Sequence, residues 1–198
     1  MDVESRLRSL VLDQGLDWQV QLVGSRLRGD ATALSDWDFR IDAPDCARLA
    51  ASIPALAARL DPLGALWDPL SRRAVFMIVL HGAIKVDLFP CDEQREPQPP
   101  WAPSAANLLD IDAHFWDWAL WLAGKSLGHQ RALVGPELQK MFDFLLGPLG
   151  VAEAPEAVSR AVECYLRARD HQEGRLGVVV PRSLGEEVTA ALAAHSIS

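Results

Sequence analysis

Polar and apolar positions change rhythm about halfway along the chain. Up to residue 90 the pattern alternates in short runs. Trp18-Gln19-Val20-Gln21-Leu22-Val23 reads as a buried strand, and Asp36-Trp37-Asp38-Phe39-Arg40-Ile41 as a second. Arg73 to Leu80 and Ala83 to Phe89 read as two more, joined by His81-Gly82, a two-residue hairpin signal. Helices are predicted at about 2 to 14 and at about 45 to 60, the latter interrupted near Pro54. Five prolines between residues 90 and 103 cannot continue a central strand or helix, so 91–103 is a connector. Beyond it the pattern turns helical, at about 104 to 126, 135 to 147, 154 to 172 and 183 to 195. Ile111, Phe115, Trp118 and Leu122 form the apolar stripe of the first of these helices. Trp116 and Trp121 lie off it and read as packing residues, while His114 and Asp117, three apart, read as a surface pair. Glu173 to Pro181 reads as an extended link whose three valines are buried. No internal repeat is present.

Composition narrows the class. With 198 residues, 49% of them apolar, the chain can bury a core, and no run of 18 apolar residues offers a membrane span. The first residues lack the charged-then-apolar pattern of a signal peptide, which places the protein in the cytoplasm. Cys46, Cys91 and Cys164 are scattered without metal-ligand spacing and are expected as reduced packing residues. The net charge is −8. Residues 1–90 carry 10 basic and 12 acidic side chains and residues 91–198 carry 9 and 15, so the deficit lies mostly in the second half. Such a surface repels nucleic acid and attracts cations, which argues against a polymerase and for a polycationic small molecule as acceptor.

The chemistry is concentrated in residues 18 to 90. Residues i and i+2 of a strand project from one face, so Asp36 and Asp38 point the same way a few ångströms apart. Carboxylates that close repel unless a cation lies between them, and an oxygen-only donor set suits Mg²⁺ shared with substrate phosphates. Gly24-Ser25 ends the first strand, where a glycine allows close approach and free amides with the Ser25 hydroxyl can hold phosphate oxygens. Ser25 could equally cap the turn that follows it. Arg26 and Arg28 lie beside this turn, where arginines are ordinarily solvated; Arg28 is placed with the nucleotide contacts. Asp87, between Val86 and Leu88, faces the same open side as the pair.

Gly24-Ser25, ten residues, Asp36-x-Asp38 and a later strand carrying Asp87 resemble the motif of the DNA polymerase beta-like nucleotidyltransferase superfamily. The order of elements and the helical tail look most like its small antibiotic nucleotidyltransferases. The resemblance implies an α+β fold, a small mixed sheet flanked by helices, with a catalytic domain at 1–90 and a helical acceptor-binding domain at 104–198. It also implies an enzyme that moves AMP, or another NMP, from ATP or another nucleoside triphosphate to a hydroxyl of an aminoglycoside or lincosamide. Asp36, Asp38 and Asp87 would hold Mg²⁺, and Asp87 would also serve as the base. Gly24 and Ser25 would grip the phosphates, and Lys125 would reach back to the triphosphate. Relatives often carry an Arg-Gly-Glu-like run just beyond that lysine, from which Gly128-His129-Gln130 departs. Asp112, Asp117 and Glu137 are the acids expected at the acceptor. A minimal-type nucleotidyltransferase that AMPylates a partner protein is the alternative, although its members are typically shorter and lack a tail domain.

Overall fold

The computed structural model describes every residue except Met1, Gln14, Leu16, Pro99, Pro100, His129 and Ser198, so His129 and the prolines at 99 and 100 lie outside the described residues. The fold is α+β. The chain separates into two compact units, Met1–Gln98 and Pro99–Ser198.

The first unit contains α1 (Val3–Leu12), β1 (Gln19–Val23), α2 (Gly24–Arg28), β2 (Trp37–Asp42), α3 (Cys46–Ala58), β3 (Pro62–Trp67), β4 (Phe76–Leu80) and β5 (Ile84–Pro90). Its sheet has the order β1-β2-β5-β4-β3. β2 and β5 run parallel and the other neighbours antiparallel. One face supplies Phe39, Ile41, Phe76, Ile78, Leu80, Val86 and Leu88 to a core completed by Leu7 and Val11 of α1 and Leu49, Ile53 and Leu56 of α3. Because side chains alternate, that choice sends Asp38, Lys85 and Asp87 to the other face. Asp2 caps α1 by accepting from the Ser5 amide, and Asp45 caps α3 through Arg48.

Several expected boundaries move. α3 runs unbroken through Pro54, which is exposed, so the carbonyl left without its amide partner lies on the solvent side of the helix. β3 went unread because it opens on a proline and carries Gly64, with a register shift between Pro62 and Gly64. An edge strand tolerates all three. Arg73 stands before β4, outside the ladder, where its backbone pairs with Gln94 in an isolated bridge. The hairpin turn has three residues, because both Gly82 (φ 81°) and Ala83 (φ 53°) adopt left-handed backbone and Leu80 pairs with Ile84.

The cysteine expectation is corrected. Cys46 and Cys91 form a disulfide with Cα atoms 6.2 Å apart, leaving Cys164 as the free thiol. Topology explains the pairing. Parallel β2 and β5 end side by side, Ile41 opposite Pro90, and the Cys91 amide donates to the Ile41 carbonyl at 2.9 Å. Residue 46 follows one strand end closely and residue 91 the other. Cysteine usage therefore no longer argues for a reducing compartment.

The second unit is helical: α4 (Leu108–Leu127), a 3₁₀ turn (Arg131–Leu133), α5 (Val134–Met141) continuing into a π turn (Phe142–Leu146), α6 (Val158–Leu176) and α7 (Ser183–Ala194). α4 is buried nearly all round. Phe115 stacks on Tyr165 of α6 at 3.7 Å. A Cβ on Gly185 of α7 would stand 2.7 Å from the Trp116 ring, so glycine is what lets α7 approach α4 there. His114 and Asp117 are buried, not a surface pair, since α4 has almost no exposed side. In the link after α6, Val179 is 86% exposed and Val180 2%, so burial of all three valines does not hold. Val180 is fixed instead by its amide, which donates to Glu173 at 2.7 Å. Among the described residues no helix is long and apolar enough to cross a membrane.

Candidate active site

Parallel pairing of β2 with β5 sets Asp38 directly opposite Asp87, and antiparallel pairing of β1 sets Val23 opposite Asp38. The chain turns into α2 at Gly24, so three segments distant in sequence meet at one corner of the sheet. Asp36, Asp38 and Asp87 each offer a carboxylate oxygen, all within 4.8 Å of one another. Asp36 and Asp87 are buried and Asp38 half-buried. Burial pushes the Asp87 carboxyl above the usual carboxylate range; the Lys85 charge opposes this and the Asp36 charge adds to it.

Gly24 has a positive φ of 71°, and a Cβ on it would stand 1.9 Å from Asp38 Oδ2. The glycine is thus required twice, by backbone conformation and by contact with the acid. Ser25 makes no capping bond: the N-cap of α2 is Val23, and Ser25 Oγ is buried with no hydrogen-bond partner among the described residues. An oxygen-only donor set, a glycine cradle against it and an orphaned hydroxyl fit a divalent cation with a phosphate-bearing ligand.

Two further residues shape this corner, neither of them among the site residues expected from sequence. Arg26 donates to the Ser35 carbonyl at 2.6 Å and the Asp36 carbonyl at 3.1 Å, and its guanidinium lies 4.2 Å from the Trp37 ring centroid. It therefore ties α2 to the start of the acid strand. Lys85 is 4% exposed and its ammonium donates to Asp87 Oδ1. Its i, i+2 spacing from Asp87 was the available signal.

The remaining expected site residues have the following surroundings. Arg28 is exposed, with Asp30 at 3.4 Å. In the helical unit, Lys125 Nζ lies 4.9 Å from the Trp121 ring centroid and Glu137 is half-buried with Lys140 at 3.7 Å. Asp112, expected at the acceptor, is instead internal at 2% exposure. Its Oδ1 accepts from Tyr165 Oη at 2.5 Å and Trp116 Nε1 at 3.1 Å, with Arg169 Nη1 at 3.9 Å. Asp117 is buried as well.

No family model matches the sequence, and no curated protein matches it. Several solved structures are similar, among them the following two. The polymerase core of TRAMP, an RNA surveillance complex, is 11% identical with a TM-score of 0.41; the match covers 82% of this chain and 55% of that one, so this chain spans about half its length. An aminoglycoside 6-adenyltransferase from Bacillus subtilis is 12% identical with a TM-score of 0.36, the match covering 100% of both chains.

Proposed function

We propose that the protein is a Mg²⁺-dependent nucleotidyltransferase that moves AMP, or another NMP, from a nucleoside triphosphate to a hydroxyl of a small cationic molecule of the aminoglycoside or lincosamide kind. The carrying observation is the convergence of Asp36, Asp38 and Asp87 within 4.8 Å beside Gly24 and the orphaned Ser25 hydroxyl. Asp36, Asp38 and Asp87 would hold Mg²⁺, which when bound supplies charge neutralisation for the triphosphate and its leaving group. Gly24 lets the backbone come close to the phosphates, and Ser25 Oγ donates to a phosphate oxygen. Arg26 keeps Asp36 in place. Asp87, tethered by Lys85, accepts the proton of the acceptor hydroxyl as its oxygen bonds to the α-phosphorus. The bond from that phosphorus to the β-phosphate oxygen breaks, and pyrophosphate leaves. The net charge of −8 favours a cationic acceptor over nucleic acid.

The test is to incubate the purified protein with each α-labelled nucleoside triphosphate, Mg²⁺ and a panel of aminoglycosides and lincosamides. Label should move to one acceptor class with stoichiometric pyrophosphate release. Label appearing only on a protein from lysate would transfer the assignment to the AMPylating alternative, and hydrolysis with no acceptor labelled would count against both.

A further inference from the structure

Lys85 is an unusual neighbour for three acids that are to receive a cation. It stands two residues before Asp87 on β5, so both project from the acid face while Val86 and Leu88 enter the core. Across β4 its Cα partner is Val79 and that of Asp87 is Met77, both buried. A lysine at 4% exposure with apolar side chains beside it must pair its charge, and its ammonium does so on Asp87 Oδ1. Lys85 and the three acids then sum to −2 in place of −3, with the Arg26 charge acting on Asp36 and Asp38 from beside them.

Building on the metal-site reading above, we propose that Lys85 is the resident counter-ion of the acid cluster. It is a tethered positive charge that keeps the three carboxylates assembled in the metal-free protein and lowers their affinity for a free divalent cation. Charge balance gives the consequence. An ion approaching Asp36, Asp38 and Asp87 meets an ammonium already on one of its ligands, and two positive charges a few ångströms apart in a partly desolvated site repel strongly. A nucleoside triphosphate carries negative charge of its own and removes that penalty. The site therefore takes its metal together with the nucleotide and takes free metal poorly.

The experiment titrates Mn²⁺ calorimetrically into the wild type, Lys85→Met, Lys85→Arg and the double variant Lys85→Met/Asp87→Asn, with melting curves in EDTA and in Mn²⁺. Lys85→Met should bind Mn²⁺ about tenfold more tightly than the wild type, as expected from removing one nearby like charge. It should melt lower in EDTA and recover more on adding Mn²⁺. Lys85→Arg keeps the charge and should keep the wild-type affinity within about threefold. The double variant restores the net charge of −2 and should lose the tightening, which reads the proposal even if Lys85→Met folds poorly without metal. Unchanged or weaker Mn²⁺ binding by Lys85→Met, with equal melting losses in EDTA and Mn²⁺, overturns the proposal and makes Lys85 a structural residue. If Mn²⁺ binds the wild type and every variant alike, only this inference falls. If it binds none of them even when the titration is repeated with a nucleoside triphosphate present, the metal-site reading falls and takes the inference with it.

Discussion

Each unit of the protein buries carboxylate beside a basic side chain, and the two do opposite things with it. In the sheet unit, Asp36, Asp38 and Asp87 converge, with the Lys85 ammonium on Asp87 and the Arg26 charge acting on Asp36 and Asp38. In the helical unit Asp112 accepts from Tyr165 Oη and Trp116 Nε1, with the Arg169 guanidinium at ion-pair distance, 3.9 Å. Buried polar groups persist only when satisfied, and each cluster shows what satisfies it. The helical cluster is answered within the chain and holds three helical residues in register. The sheet cluster crowds three carboxylates into one corner beside one ammonium, the arrangement on which the proposed metal site rests. Acidity and burial are common to both. The ratio of acceptors to resident donors is what separates a scaffold from a site.

The strongest attack on this distinction removes charge from the sheet cluster. Asp36→Asn or Asp38→Asn should lower nucleotidyl transfer by about 10²-fold or more, since each withdraws a proposed ligand of the proposed metal site. The melting temperature should hold or rise, because each also relieves like-charge repulsion. Turnover above a tenth of wild type would sink the assignment. Gly24→Ala is the steric form of the same attack. Its Cβ would fall 1.9 Å from Asp38 Oδ2 at a φ of 71°, so Asp38 must move. Activity should fall roughly tenfold or more, with a stability loss of about 1–3 kcal/mol on urea unfolding from backbone strain and overpacking.

How far these clusters could be read from sequence depended on whether their geometry is local. Asp36, Asp38 and the Gly24-Ser25 turn announce themselves, because strand alternation and a glycine at a strand end are properties of a few consecutive residues. Asp87 is legible for the same reason, flanked as it is by Val86 and Leu88. Lys85 was passed over although it has the same spacing, because a lysine in a strand reads as solvated until the fold shows it buried. Asp112 was assigned to a ligand because an acid on a helix reads as surface. Its partner Tyr165 lies 53 residues away, and nothing in the local pattern reports a helix covered on all sides. β3 was missed because Pro62 and Gly64 argue against a strand everywhere except at an edge.

The disulfide belongs with these non-local features and tests whether the sheet site needs reinforcement. Cys46 and Cys91, 45 residues apart, join the start of α3 to the end of β5, the strand that carries Lys85 and Asp87. Reduction, or Cys46→Ser with Cys91→Ser, should destabilise the sheet unit by roughly 2–4 kcal/mol through the freed unfolded chain. The helical unit should be untouched, which separate tryptophan and calorimetric transitions would report. Equal losses in both units would mean that they unfold as one cooperative body. An unchanged first transition would show the bond to be dispensable.

The last change expected is in the helical cluster; it varies with pH and carries a definite sign. Burial raises the Asp112 carboxyl to about 6 from an ordinary 3.8, although Tyr165, Arg169 and Trp116 oppose the shift. The folded state therefore binds a proton more readily than the unfolded chain does. Above about pH 6 the group is ionised in both states and the full penalty stands. As pH falls from about 6 towards 4 the folded form protonates first, and this contribution to stability rises. Two pH units of displacement correspond to roughly 3 kcal/mol. Asp112→Asn keeps an acceptor oxygen for Tyr165 and Trp116 and abolishes the titration, while Arg169 retains Asp170 at 3.0 Å. Other carboxylates titrate in this range too, so the quantity to measure is the difference in unfolding free energy between variant and wild type, by urea at several pH values from 4 to 7. That difference should move in the variant's favour as pH rises and level off above about 6. A difference that stays flat would mean that Asp112 is charged at no cost, and that Tyr165, Trp116 and Arg169 offset its burial in full.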